Sequence, residues 1–405
     1  MEFNTLLLHG RGTDGYLHGA TLPPISQVSA FTYGSPEEQE KVFAHKSMGF
    51  AYTRIGNPGI TAFEQRINEL EGGAGCVATS SGMAAISNAI LALVCSGDEI
   101  IVGRNLYGGT LNLFADLEKL NIKTVYADHM DPDEIRPLIT EKTRLIFSEL
   151  ISNPSQEVMD VKAVSELAHA HGIPVAVDST TATPYLIRPI ENGADIVIHS
   201  TSKYINGGGN SIGGVVIDSG TFKWDFERFP ALREYKKYGN LAFTVRLRTD
   251  LWENFGGCMA PFNAYMNTVG IETLGLRMER ICNNAKELAR GLSEAGETVN
   301  YLGLDTHPYH ALCERDLKGY GGGILTIRAG SRERAFACLN KLKYVSIASN
   351  IGDIRTLALH PASTLYHHAT EEQREAAGVY EDTIRVSVGI EDAADLVDDF
   401  IQALQ

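Results

Sequence analysis

The sequence predicts an α/β protein whose main sheet is mostly parallel and covered on both faces. Between residues 75 and 217, short apolar runs rich in Val and Ile alternate with stretches of helical periodicity. Strands buried on both faces read as continuous apolar runs, and parallel neighbours need a crossover, usually a helix, between them. The polar residues best suited to chemistry cluster where those runs stop, and ligands bind at the C-terminal strand ends of such sheets.

Residues 1–60 show little periodicity of either kind, and Pro23-Pro24, Gly34-Ser35-Pro36 and Gly56-Asn57-Pro58-Gly59 mark turns between extended segments. Such an arm needs a surface to lie on, and a neighbouring subunit would supply one. A helix is expected over 61–70, a strand over 76–79 and a second helix over 83–95. Strands follow at 99–102, 123–126, 144–147, 174–177, 195–199 and 214–217, with helices at 111–120, 133–139 and 161–171. Residues 218–260 read as mixed, with an aromatic and basic loop at 222–238. One long helix over 262–294 opens a last region. There, strands at 323–327, 345–348 and 383–388 and helices at 332–342 and 391–404 predict a smaller α/β unit. The expected division is an arm over 1–60, a large domain over 61–260 and a C-terminal domain over 261–405.

A chain of 405 residues, 44% of them hydrophobic, can bury a full core without covalent staples. Its six cysteines show no C-x-x-C spacing, which argues against a zinc ribbon or a disulfide framework and for a reducing compartment, the cytoplasm. The start of the chain has neither the basic segment nor the apolar core of a signal peptide. No apolar run approaches a membrane span. A net charge of −15 disfavours binding to a nucleic-acid backbone, so an anionic substrate must be caught by a local site.

The strongest candidate for such a site is Lys203, which follows the apolar run ending at His199 and is preceded by Ser200, Thr201 and Ser202. A desolvated lysine can form a Schiff base with an aldehyde, and hydroxyls can hold a phosphate. Pyridoxal phosphate carries both groups, although a strand-end lysine in water is the commoner case on spacing alone. Ser80-Ser81-Gly82-Met83 lies between a strand and a helix, where first-turn amides and the positive end of the helix dipole attract anions; the same pattern also serves as a plain helix cap. Asp178 ends another apolar run. It would either cap Ser179 and Thr180 or keep a pyridine nitrogen protonated.

Seven motifs in chain order then resemble the Cys/Met-metabolism family of pyridoxal-phosphate enzymes, also called the cystathionine γ-synthase family. They are Tyr52-Thr53-Arg54-Ile55-Gly56-Asn57-Pro58, Ser80-Ser81-Gly82-Met83-Ala84-Ala85, Leu106-Tyr107-Gly108-Gly109-Thr110, Glu149 with Asn153-Pro154, Val177-Asp178 with Ala182-Thr183-Pro184-Tyr185, His199-Ser200-Thr201-Ser202-Lys203, and His360-Pro361-Ala362-Ser363 with Arg385-Val386-Ser387-Val388-Gly389.

The resemblance implies fold type I, with a large domain built on a seven-stranded, mostly parallel sheet and a smaller C-terminal α/β domain. It implies that Lys203 is the Schiff-base lysine, that Asp178 partners the ring nitrogen and that Tyr107 stacks on the ring and takes part in catalysis. Asn153 would bond the ring oxygen, and Gly82, Met83, Ser200 and Ser202 would hold the phosphate. Tyr52 and Arg54 would reach that phosphate from the neighbouring subunit of a homotetramer, a dimer of dimers. Arg385, with Asn350 and Asn153, would bind the substrate, the guanidinium gripping its carboxylate in the bidentate way. No metal is implied.

Within the family, Ser211 to Asp218, Leu276 to Arg280 and Asn350-Ile351-Gly352-Asp353 are similar to O-acetylhomoserine sulfhydrylases, and Gly109 stands where methionine γ-lyases usually carry cysteine. The expected reaction is γ-replacement on an O-acylated homoserine by sulfide or a small thiol. The alternative is γ-elimination to a 2-oxo acid and ammonia. Gly208 stands where sulfhydrylases carry histidine, which predicts more room near the site and a shifted substrate preference.

Overall fold

Seven strands, β1 (Gly75–Thr79), β2 (Glu99–Gly103), β3 (Lys123–Ala127), β4 (Thr143–Glu149), β5 (Val175–Asp178), β6 (Ile196–His199) and β7 (Gly214–Asp218), form one sheet in the order β1-β7-β6-β5-β4-β2-β3. The computed structural model describes residues 1–10, 16, 19–44 and 46–405. From β6 across to β3 all neighbours are parallel, and β7 runs antiparallel to both β6 and β1. Alternate residues face opposite sides, as a pleated strand requires. Val175, Val177 and Val197 join one apolar core while Ala176, Ile196 and Ile198 join the other.

Five further strands, β8 (Thr298–Asn300), β9 (Ile324–Arg328), β10 (Ser346–Ile347), β11 (Leu357–Leu359) and β12 (Thr383–Ser387), form a second sheet in the order β10-β11-β12-β9-β8. Helices Leu274–Glu294, Arg332–Lys341 and Ala393–Leu404 supply Leu288, Leu339 and Phe400 to its core. Among the described residues, no helix is long and apolar enough to cross a membrane.

Three expectations are corrected. The first 60 residues are not all extended, because helices form at Phe3–His9 and Pro36–Phe43. The second starts at a serine cap, Ser35, followed by proline at the first helical position, but buries no residue, so it has no apolar stripe to read. Of the expected loop at 222–238, residues 230–238 are helical, the helical turns run on to Phe255, and the Trp252 indole donates to the Ala78 carbonyl at 2.6 Å. The long helix is broken at Thr273 (φ −112°, ψ 8°) into Pro261–Ile271 and Leu274–Glu294. At the break, Arg277 takes the carbonyls of Gly270 (2.7 Å), Tyr204 (2.6 Å) and Ile205 (3.1 Å), which satisfies a buried cation with oxygens from both sides.

Beneath the strand ends, helix Pro58–Glu71 is tied to β6 by a 2.6 Å hydrogen bond between Glu71 Oε1 and His199 Nε2, both fully buried. Glu71 Oε2 and His199 Nδ1 have no other partner. Removing one side strands a buried polar group at a cost of about 1–3 kcal/mol. Glu71→Ala is therefore expected to lower the free energy of unfolding by that amount or more, read from urea denaturation as a lower midpoint, and a midpoint equal to wild type would show that the pair contributes nothing.

Candidate active site

A cavity of about 250 Å³ opens where β2, β4, β5 and β6 end. Ten of the twelve residues expected at the site line it, namely Gly82, Met83, Tyr107, Asn153, Asp178, Ser200, Ser202, Lys203, Asn350 and Arg385. Tyr52 and Arg54 do not. Both are exposed, the Arg54 guanidinium lies 5.6 Å from the Tyr52 ring centre, and its Nη1 donates to the Glu253 carbonyl at 2.7 Å.

On one side, helix Gly82–Leu91 starts directly after Ser81, whose hydroxyl caps the amide of Ala84 at 3.1 Å. The amides of Gly82 and Met83 belong to the first turn, which has no acceptor within the helix. Ser200 and Ser202 face this turn with hydroxyls 3.0 Å apart. A Cβ on Gly82 would sit 2.6 Å from that of Ser200, so only glycine lets the two strand ends close into one cup. Amides, a helix N-terminus and two hydroxyls make a phosphate site.

On the other side, Asp178 Oδ1 accepts from the amide (2.9 Å) and hydroxyl (2.5 Å) of Thr180, and that hydroxyl in turn accepts the Ser200 amide at 2.8 Å. Thr180 thus couples the carboxylate to the phosphate cup, a role that the sequence did not announce. Burial raises the Asp178 pKa, partly offset by these bonds. Glu149, the last residue of β4 and in register with Asp178, also lines the cavity. Burial, and then the charge of Asp178, push its pKa up to about 8.

Lys203 Nζ donates to Asn350 Oδ1 at 2.6 Å, and burial, with Arg385 nearby, holds its pKa below the usual lysine value. Arg385, in β12, is 2% exposed, and burial brings its pKa down to about 10. Its Nη2 donates to the Asn350 carbonyl at 2.8 Å, while its Nε has no partner. A buried guanidinium with free donors at a cavity wall fits a carboxylate. Tyr107 lies at the mouth, 42% exposed, and a Cβ on Gly109 would come within 2.6 Å of its ring. Gly208 does not line the cavity. A Cβ there would come within 2.8 Å of the Asn210 side-chain amide.

Residues 4–405 match the model of the family described as "Cys/Met metabolism PLP-dependent enzyme". The O-acetyl-L-homoserine sulfhydrylase of Corynebacterium glutamicum is 39% identical, over 98% of this chain and 95% of its own length. The L-methionine gamma-lyase of Fusobacterium nucleatum is 37% identical, over 99% and 97%. A crystal structure described as an O-acetylhomoserine (thiol)-lyase from Campylobacter jejuni, containing N′-pyridoxyl-lysine-5′-monophosphate, superposes with a TM-score of 0.94 at 32% identity and full coverage of both chains.

The residues present fit that cofactor. The cup suits a phosphate, Asp178 suits a ring nitrogen, and the buried Asn153 Oδ1 has no partner in the protein. With the cup, the carboxylate and the lysine brought to one cavity, and with the family model covering the chain almost end to end, this protein belongs to the Cys/Met-metabolism family of pyridoxal-phosphate-dependent enzymes.

Proposed function

We propose that the protein catalyses γ-replacement on an O-acylated homoserine, O-acetyl-L-homoserine in the first instance, with sulfide or a small thiol as the incoming group. The products are acetate and homocysteine or a methionine-type thioether. The observation that carries this reading is the buried Arg385, with an unsatisfied Nε, sharing one cavity with Lys203 and Asp178. That arrangement recognises the carboxylate of an α-amino acid next to a cofactor-binding lysine.

Pyridoxal phosphate, when bound, supplies the electron sink that acidifies the substrate protons at Cα and Cβ. The protein does the rest. Asp178 would hold the proton on the ring nitrogen. Arg385 fixes the substrate carboxylate and so turns the Cα–H bond toward Lys203. Lys203 would accept the Cα proton at Nζ, and burial, which lowers its pKa, favours the neutral amine that this requires. Asn350 Oδ1 steers the freed amine. Tyr107 lies over the cavity mouth as a stacking group and an auxiliary acid or base.

The γ-lyase reading shares every step up to the loss of the γ-substituent, and a lyase relative of similar identity favours keeping it in view. Incubation with O-acetyl-L-homoserine, with and without sulfide, separates the two. Homocysteine is expected to dominate when sulfide is present; 2-oxobutanoate and ammonia dominating in both reactions would overturn the transferase reading.

Replacing Arg385 tests the substrate grip. Loss of a bidentate, charge-assisted contact is expected to lower kcat/KM of Arg385→Lys by about 10- to 100-fold. Unchanged steady-state kinetics would remove Arg385 from the substrate site.

The proposal extends to the assembly. The arm over 1–60 reaches a neighbouring subunit, the large domain covers 61–260 and the small one 261–405, and the active form is a cytoplasmic homotetramer made of dimers that share their sites. The exposure of Tyr52 and Arg54 outside their own chain's cavity supports the sharing, and six free cysteines suit the compartment. Co-expression of Tyr52→Phe/Arg54→Ala chains with Lys203→Ala chains is expected to restore roughly a quarter of wild-type activity, the statistical yield for sites shared across a two-fold axis. No recovery would place both residues in the site of their own chain.

A further inference from the structure

Glu149 is an ionisable group of the cavity to which the reaction gives no task. Its two oxygens each receive a backbone amide from a segment that carries a site residue. Oε1 accepts from Tyr107 N at 2.6 Å, in the connection after β2, and Oε2 accepts from Asn153 N at 3.3 Å, in the connection after β4. Its neighbour in register is Asp178.

We infer that Glu149 is a positioning residue, a carboxylate clamp that joins the Tyr107 and Asn153 segments and tightens when the cofactor ring settles on Asp178. The inference rests on the assignment of the cavity to pyridoxal phosphate. Two amides pointing at one carboxyl group favour its charged form, because a protonated oxygen is a poorer acceptor. Burial and the like charge of Asp178 oppose this and favour the protonated form. A protonated ring nitrogen against Asp178 cancels that repulsion, so ring binding releases the Glu149 proton and strengthens both amide contacts.

The groups facing Glu149 allow this exchange. On the cavity side these are Asp178, Tyr107, Lys203 and Arg385, and Tyr366, buried nearby, has its pKa raised by desolvation and then by Glu149 itself. Behind it lies a second cavity of about 200 Å³, which Glu149 also lines, together with His129, Asp131, Glu157, Asp160 and Tyr309. His129 Nδ1 lies 2.9 Å from Glu157 Oε2 there. The released proton passes to water, with no change in oxidation state and no other reactant.

Pyridoxamine 5′-phosphate is the probe, because it has no aldehyde to react with Lys203 and so reports ring and phosphate binding alone. It is titrated into the apoprotein of wild type, Glu149→Gln and Glu149→Ala at several pH values between 6.5 and 9, with melting temperatures recorded in parallel. Glutamine keeps one acceptor and sets an N–H against the other amide, so its dissociation constant is expected to rise about tenfold at the alkaline end, and that of the alanine variant further. Wild type is expected to bind more tightly as pH rises, and Glu149→Gln to lose most of that slope.

Equal dissociation constants and equal slopes overturn the inference. So does a lower melting temperature with unchanged binding, which would make Glu149 structural only. If the alanine variant does not fold, the near-isosteric glutamine variant decides. Failure of wild type itself to bind the probe would overturn the cofactor assignment, and this inference with it.

Discussion

Holding charge at a wall where water is scarce is the constraint around which this protein is built. Glu149, Asp178, Lys203 and Arg385 share one cavity, and for each of them burial is the leading cause of a shift toward the neutral form. An isolated buried charge is costly unless it is paired and hydrogen-bonded. The protein meets that cost only in part: Thr180 bonds one oxygen of Asp178, Asn350 meets Lys203 and one arm of Arg385, and two backbone amides reach Glu149. What remains unsatisfied, notably the donor Arg385 Nε, is complementary to an anionic amino acid. The site is thus a set of incomplete pairs that a ligand completes.

Parallel topology explains how residues far apart in sequence meet. Strands β2, β4, β5 and β6 end on one edge, so their last residues and following connections deliver Tyr107, Asn153, Asp178 and Ser200 to Lys203 to the same place. The seven strands were legible because double-sided burial leaves continuous Val- and Ile-rich runs, and Asp178 and Lys203 were legible because a polar residue at the end of such a run is conspicuous. Arg385 and Asn350 had no such signal. They lie in the second sheet and its connections, and only resemblance to a family pointed to them. Glu149 stood in a quoted motif without a role, because its partners are backbone amides, which no side-chain pattern reveals.

The misread segments have local causes. The break at Thr273 follows from a tertiary demand: Arg277 must reach carbonyls on both the helix and the turn after Lys203. Within the expected loop at 222–238, residues 222–229 are loop, and their Phe222, Trp224 and Phe229 pack into the core on one side of the sheet; only from Pro230 on does the chain turn helical. The helix Pro36–Phe43 is set by a serine cap and a proline rather than by a buried apolar stripe, so periodicity could not find it.

The contact between Lys203 Nζ and Asn350 Oδ1 spans 147 positions and crosses from the first sheet to the second. The lysine is delivered by one unit and its partner by the other, along with Arg385. Changes that shift the connection between β10 and β11 by a fraction of an ångström therefore alter the setting of the lysine without touching the strands that carry it. For anyone diversifying the enzyme, this makes the second sheet a tuning surface for reactivity, separable from the residues that retain the cofactor.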